Sequence, residues 1–206
     1  MKGCLNINNI IECAQYFQTF LGKKFKFCLE NSLIIEFYFT AKSFYHIIGL
    51  HKLDDITVFN NSSLLFNLVH DKTISQKIEK SVKYFLIEPR IKHFEEIKNI
   101  FDKNQCEFII DFNKDLVRGE TELKNTKYLL YKRLDLIVNN HSIKNGANAI
   151  LTLGENKHKK IYAETFFFEP SNKYNSGQNL LIVNDIIITE KHIIKKKKRY
   201  SAKSNS

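Results

Sequence analysis

Two histidines and a lysine lie close together in the stretch KSFYHIIGLHKLDDI, residues 42 to 56. His46 and His51 are five residues apart, so on one continuous helix their side chains would point about 140° apart. Gly49 stands between them, and a helix that ends there lets the two imidazoles and Lys52 converge on one pocket. We therefore predict that both histidines lie at the edge of one cleft, with Gly49 ending a short helix.

This set of side chains is suited to cleaving RNA without a metal ion. One imidazole removes the proton of the 2′-hydroxyl, and a protonated group supports the 5′ oxygen as it leaves. A cation such as Lys52 stabilises the charge that develops on phosphorus. A structural role for His46 is the alternative, because it stands between Tyr45 and Ile47 and imidazoles often pack as hydrogen-bonding groups.

Arg90 is a further candidate for the same site. It follows Pro89 at a predicted helix start, where its guanidinium would bind a phosphate through paired donors. An ion pair with Glu88 or Glu95 would explain the arginine equally well.

The sequence lacks the common nucleotide, dinucleotide, zincin and serine-hydrolase motifs G-x-x-x-x-G-K-[ST], G-x-G-x-x-G, H-E-x-x-H and G-x-S-x-G. Cys4, Cys13, Cys28 and Cys106 are irregularly spaced without a C-x-x-C pair, which indicates neither a zinc site nor a disulfide framework. We expect no metal and no cofactor.

The amino-terminal half has the spacing of amphipathic helices interrupted by a hairpin. Asn8 is a candidate cap of the first helix, and Pro89 stands in the first turn of the last. Residues 25 to 39 alternate on either side of a polar turn, which predicts a β-hairpin. The predicted helices are residues 8 to 21, 62 to 70, 74 to 87 and 91 to 101.

From Cys106 onward the apolar residues alternate with a period of two, and polar turns separate the segments. We predict an antiparallel sheet of four or five strands, so that the fold class is α+β. Residues 113 to 127 form the longest polar interruption and predict a mobile surface loop.

Composition indicates one folded unit with a basic end. The 206 residues are 43% hydrophobic, enough for a single domain over residues 1 to 194. The net charge is +10, of which six positive charges belong to residues 195 to 206. We predict that this tail is disordered. It either holds nucleic-acid phosphates weakly or serves only to solubilise the chain.

No apolar run has the length of a membrane span, and the first residues lack the pattern of a secretory signal. We therefore expect a soluble, cytoplasmic protein without a membrane partner.

The run SFYHIIGLHKLDDI and the later run KSVKYFLIEPRI resemble a phage-encoded branch of the barnase, EndoU, colicin and RelE-like nuclease superfamily. The resemblance extends from about residue 20 to residue 190. It implies a ribonuclease that combines amino-terminal helices with a curved antiparallel sheet. The matching positions are His46, Gly49, His51, Lys52, Ser81 and Arg90.

The carboxy-terminal half supplies weaker candidates for substrate contacts. The loop at 169 to 179 is rich in hydroxyls and amides, although such loops are also simply how hairpins turn. Lys132 and Arg133 point to opposite faces of their strand, so at most one of them reaches a shared pocket. Together with Ser81, which the resemblance implies, the substrate-binding candidates are Lys132, Thr165, Ser171 and Tyr174.

Two hypotheses follow. The first is a toxin-like endoribonuclease of a phage or mobile element, whose partners are RNA and an immunity or antitoxin protein. His46 and His51 form its acid–base pair, and Lys52 and Arg90 are its electrostatic groups. The alternative is a noncatalytic nucleic-acid-binding or protein-interaction module of the same fold. The first hypothesis predicts these side chains on one concave surface; the second predicts them scattered, with His46 buried among phenylalanines.

Overall fold

The protein is an α+β structure with a curled antiparallel sheet. The computed structural model describes residues 9–106, 108–133, 136–138, 141–143 and 147–190. Cys4, Asn8 and the predicted tail at 195 to 206 lie outside the described residues.

Six α-helices precede most of the sheet in the described part of the chain. Three short 3₁₀ turns supplement them, at Leu50–Lys52, Tyr84–Leu86 and Lys114–Leu116. The helices are α1 (Ile10–Gln18), α2 (Ser43–Ile47), α3 (Leu64–His70), α4 (Lys72–Glu79), α5 (Glu88–Lys92) and α6 (Glu96–Asn99).

The predicted helices occur but are shorter than their apolar spacing suggests. Asn9 caps α1, with its side-chain oxygen accepting from the Glu12 backbone N–H at 2.9 Å. The segment predicted as one helix over 74 to 87 ends at Glu79, because Asp55 accepts hydrogen bonds from Ser81 and Val82 and fixes a turn there. Pro89 stands in the first turn of α5 as predicted.

Nine strands are described, and seven of them form one sheet in the order β2-β1-β9-β3-β4-β7-β8. All neighbouring strands in this sheet are antiparallel. The strands are β1 (Lys23–Leu29), β2 (Ile34–Tyr38), β3 (Phe108–Asp111), β4 (Thr126–Arg133), β5 (Leu136–Val138), β6 (His141–Ile143), β7 (Asn148–Glu155), β8 (Ile161–Glu169) and β9 (Asn179–Glu190).

The prediction of four or five strands was therefore wrong in its count. The amino-terminal hairpin joins the carboxy-terminal strands instead of standing apart from them. Strand β9 makes this possible, because its twelve residues pair with β3 over their first part and with β1 over the remainder. The curl of the sheet also brings its edge strands β2 and β8 into contact.

Strands β3 and β4 have buried side chains on both faces. Adjacent residues of β3, Ile109 and Ile110, belong to different apolar clusters, and so do Leu129 and Leu130 of β4. The larger cluster joins the helices to one face of the sheet. Its centre is a set of mutually contacting rings, with Phe25 and Phe101 only 4.5 Å apart between centroids.

None of the helices in the described part of the chain has the length and apolar character that a bilayer span needs.

The aromatic centre of the larger cluster predicts a strong dependence of stability on Phe17. This side chain is fully buried and contacts the rings of Phe20, Phe39 and Phe44. Phe17→Ala should lower the free energy of unfolding, measured by urea titration, by about 3–5 kcal/mol. Phe59, which is 71% exposed, is the control, and Phe59→Ala should change the value by less than about 0.5 kcal/mol. Similar losses in the two variants would contradict this description of the core.

Candidate active site

The two histidines lie on either side of a helix break. Helix α2 ends with Ile48 as its cap, and Gly49 has a left-handed backbone conformation with φ of 88° before the 3₁₀ turn begins at Leu50. Buried Ile47, Ile48 and Leu50 anchor this break in the core. The imidazole rings of His46 and His51 are consequently only 5.4 Å apart between centroids. Both side chains are partly exposed at the edge of the same cleft, as the spacing predicted.

This candidate active-site cleft, named the active-site cleft for short, has a volume of about 860 Å³ and is lined by cations, carboxylates and aromatic rings. It brings together six of the candidates named from the sequence, His46, His51, Lys52, Arg90, Thr165 and Tyr174. Glu122, Glu164, Phe167 and Phe168 also line it. Among the described residues, no three or more His, Cys, Asp or Glu side chains form a group that could hold a metal ion.

Arg90 forms the floor of this cleft and is only 6% exposed. Its Nη1 donates to the backbone oxygen of Ile47 at 3.3 Å and to the hydroxyl of Thr165 at 3.0 Å. The Thr165 hydroxyl in turn donates to the backbone oxygen of His46 at 3.4 Å. The guanidinium thus connects α5 to the end of α2 and to strand β8.

Among the described residues, Arg90 does not form the alternative ion pair with Glu88 or Glu95. Glu88 pairs instead with Lys92, at 2.8 Å between Oε1 and Nζ. Within the part of the chain that the structure describes, both hydrogen bonds of Arg90 use Nη1 and no ion pair involves the side chain. Burial lowers the pKa of Arg90 to about 10, so the guanidinium stays charged near neutral pH.

Gly49 allows the close approach of this arginine. A Cβ atom at position 49 would lie 3.0 Å from Nη1 of Arg90 and 3.2 Å from Cγ2 of Ile87. The positive φ also disfavours any residue with a side chain. Glycine is therefore required here both by the backbone conformation and by the position of Arg90.

The two imidazoles have different charged neighbours. Partial burial lowers the pKa of His51 to about 4, and the positive charges of His46, Arg90 and Lys52 act in the same direction. Burial also lowers the pKa of His46, but there the carboxylate of Glu164 opposes the shift. The cations near His51 therefore outweigh the opposing carboxylate of Glu122, whereas the charged group that acts on His46 is the carboxylate of Glu164.

Two residues that the sequence did not single out contact or influence His46. Asn60 Nδ2 lies 3.1 Å from His46 Nε2. Glu164 is held in place by the hydroxyl of Thr126, which donates to its Oε2 at 2.6 Å, and by the more distant hydroxyl of Thr152 at 3.4 Å. Glu164 stands between Ala163 and Thr165 in a strand that also ends in the acid Glu169, so no local signal distinguished it.

The polar segment at 113 to 127 lies across one side of the cleft. Val117 and Leu123 are buried in the smaller apolar cluster, so the segment is packed onto the sheet at these points. Between them, the exposed Glu122 faces Lys52 at 3.6 Å between Oε2 and Nζ. The loop at 169 to 179 contacts this segment, since Lys173 Nζ donates to the backbone oxygen of Glu120 at 2.8 Å.

Three predicted substrate contacts do not line the cleft. Ser81 is buried and donates to the carboxylate of Asp55 at 2.6 Å, which is a turn-stabilising bond. Ser171 bonds the side chain of Glu169 within its own loop. Lys132 lies near the end of β4 opposite Ala149, away from the strand end that supplies Thr126.

Comparison with known proteins identifies one family. A family model described as phage-Barnase-EndoU-ColicinE5/D-RelE like nuclease4 matches residues 9–206. A protein of Acanthamoeba polyphaga mimivirus, named "Putative AAA family ATPase", is 32% identical over 152 residues, which are 67% of this chain. The match spans only 16% of the length of that viral protein. No solved structure matches the chain significantly.

The hydroxyl of Thr165 accepts a hydrogen bond from the buried, charged guanidinium of Arg90, and we therefore predict that it stabilises the fold. Thr165→Val keeps the shape of the side chain but leaves Nη1 of Arg90 without one of its two acceptors. The free energy of unfolding should fall by about 1.5–3 kcal/mol, the range for a hydrogen bond to a charged group. Thr189→Val, at an exposed position of β9, is the control. A loss at Thr165 no larger than at Thr189 in urea titrations would contradict the assignment.

Proposed function

Because the chain belongs to the phage-Barnase-EndoU-ColicinE5/D-RelE like nuclease family, we propose that it is an endoribonuclease that cuts RNA without a metal ion. In this reaction a ribose 2′-hydroxyl attacks the adjacent phosphorus. The observation that carries the proposal is the pair of imidazoles 5.4 Å apart, one beside cations and the other beside a carboxylate.

His51 is the general base in this mechanism. A base must be unprotonated before it removes a proton, and the low pKa of His51 keeps its ring neutral near pH 7. The nearby cations that lower this pKa are Arg90 and Lys52. His51 takes the proton of the 2′-hydroxyl as the oxygen bonds to phosphorus.

His46 is the general acid. It donates a proton to the 5′ oxygen as the bond from phosphorus to that oxygen breaks. Glu164 favours the protonated imidazole, and a bound phosphodiester adds a further negative charge in the same direction. Environments that push the pKa values of paired groups apart are the usual basis for dividing acid and base roles.

Arg90 and Lys52 stabilise the charge on phosphorus. The bonds from Nη1 to Ile47 and Thr165 fix the guanidinium before substrate binds, so little reorganisation is required during the reaction. Nη2 and Nε of Arg90 are the donors assigned to the phosphate. Lys52 exchanges its exposed partner Glu122 for the phosphate, at small cost because surface ion pairs are weak.

Aromatic side chains supply the contacts to a base. Phe167 and Tyr174 line the cleft with their rings 5.5 Å apart between centroids. Bases of single-stranded RNA stack on such rings, and stacking tolerates different base identities.

The first test is RNA cleavage in the presence of EDTA. Purified protein should cut single-stranded or structured RNA, leave products with 2′,3′-cyclic phosphate ends and spare DNA, which lacks the attacking hydroxyl. His46→Ala and His51→Ala should each lower the rate by roughly a hundredfold or more. His70→Ala, at an exposed position outside the cleft, is the control.

Strict dependence on added magnesium, or full activity in the double histidine variant, would overturn this mechanism. Binding of RNA without cleavage of a broad panel would instead favour the noncatalytic module.

The pKa values also predict the pH dependence of kcat/KM. Activity should fall as the pH drops through about 4, where His51 becomes protonated and stops acting as a base. It should also fall as the pH rises through the pKa of His46, which is below the ordinary value of 6.5. The optimum therefore lies on the acid side of neutrality.

Glu164→Gln sharpens this test, because it removes the charge that raises the pKa of His46 while keeping an acceptor for Thr126. The alkaline limb of the profile should move to lower pH and the acid limb should stay in place. An optimum above pH 7 in the wild type, or movement of the acid limb alone in the variant, would refute the assigned roles.

A further inference from the structure

A second cleft adjoins the active-site cleft at His46. Its volume is about 430 Å³. The two clefts have His46 and Glu164 in common. His51, Lys52 and Arg90 line the first cleft and do not belong to the second. The proposed acid therefore stands between two adjoining cavities, and the proposed base faces only one of them.

Strand β8 runs along both clefts. Its residues Thr165, Phe167 and Phe168 line the active-site cleft, and its first residues, Ile161 to Ala163, line the second. The span from Ile161 to Phe168 is about 23 Å at ~3.3 Å per residue. This length is sufficient for an extended nucleic-acid strand to contact both cavities at once.

The lining of the second cleft has the composition of a nucleotide site. Tyr162 offers an aromatic face, and the amide of Asn60 offers both a donor and an acceptor. Lys42 and Lys160 are exposed at the rim, and neither has an ion-pair partner among the residues that the structure describes. Stacking rings combined with phosphate-binding cations are typical of surfaces that bind single-stranded nucleic acid.

Gly154 determines how the ring of Tyr162 lies. A Cβ atom at position 154 would be 2.6 Å from Cζ of Tyr162 and 2.7 Å from its hydroxyl oxygen. The ring therefore packs directly on the backbone of β7, which only glycine permits. Tyr162 is half-buried and lines the second cleft, so this contact fixes the position of a ring that remains partly accessible from that cavity.

We propose that the second cleft binds the nucleotide on the 3′ side of the scissile phosphate, with Tyr162 stacking on its base and Lys42 and Lys160 contacting the phosphate that follows. The inference rests on the proposed function. The new bond joins the 2′ oxygen of the upstream nucleotide to phosphorus, and His51 takes its proton. The bond that breaks releases the 5′ oxygen of the downstream nucleotide, which receives a proton from His46. The leaving nucleotide consequently lies on the His46 side, where the second cleft opens.

Two substrates with the same upstream nucleotide distinguish a defect in this subsite from a defect in the catalytic groups. One is a short RNA, and the other is the upstream nucleoside 3′-methyl phosphate, which has neither a downstream nucleotide nor an aromatic leaving group. Tyr162→Ala should lower kcat/KM for the RNA about tenfold more than for the methyl ester, because stacking on one base is lost. Tyr162→Phe should restore the wild-type ratio, since it keeps the ring.

Tyr174→Ala is the matched control, because Tyr174 lines only the active-site cleft of the two. It should lower kcat/KM for both substrates by the same factor. Thermal unfolding of each variant shows whether the fold is retained.

The possible failures are distinguishable. In one, the wild type cleaves both substrates while Tyr162→Ala lowers kcat/KM equally for both, or for neither. In that case the downstream subsite is wrong and the ribonuclease function stands. If the wild type cleaves neither substrate, the proposed function fails and the subsite fails with it.

Discussion

The buried guanidinium of Arg90 is the interaction on which the arrangement of the site depends. The Arg90 side chain is only 6% exposed. Burying a charge destabilises the folded state unless strong hydrogen bonds satisfy it. Here the acceptors are the backbone oxygen of Ile47 and the hydroxyl of Thr165. These come from α2 and β8, so satisfying the charge fixes the end of the histidine-bearing helix against the edge strand of the sheet. Gly49 is part of the same constraint, because any Cβ there would meet the guanidinium.

The same charge contributes to the difference between the two imidazoles. Burial is the main reason why the pKa of His51 is low, and the charges of His46, Arg90 and Lys52 add to it, whereas His46 lies near the carboxylate that Thr126 holds on β8. Two chemically identical side chains, close enough to contact one phosphate, thereby acquire different tendencies to bind a proton. The sheet contributes to this difference, since Glu164 and its hydroxyl partners come from β8, β7 and β4.

The features that could be predicted from the sequence are those set by neighbouring residues. The helix break at Gly49, the hairpin and the position of Pro89 follow from local spacing and backbone preference, and the structure has all three. The features that were missed depend on long-range contacts. Asn60 and Glu164 are brought to His46 by the tertiary fold, and no local pattern distinguishes them from surface residues. The strand count failed for the same reason, because the pairing of β9 with β1 joins segments from opposite ends of the chain.

The hydrogen bond from Thr165 to the backbone of His46 spans 119 residues of sequence. Strand β9, which links the hairpin to the rest of the sheet, is later still in the chain. Contacts of such separation carry a large entropic cost of loop closure and form slowly compared with local ones. During synthesis the amino-terminal histidines emerge long before the strands that complete their surroundings. A nascent chain that stops before β8 therefore exposes the imidazoles without the hydroxyl partner of the buried arginine, and the assembled cleft requires strands that follow the histidines by more than a hundred residues.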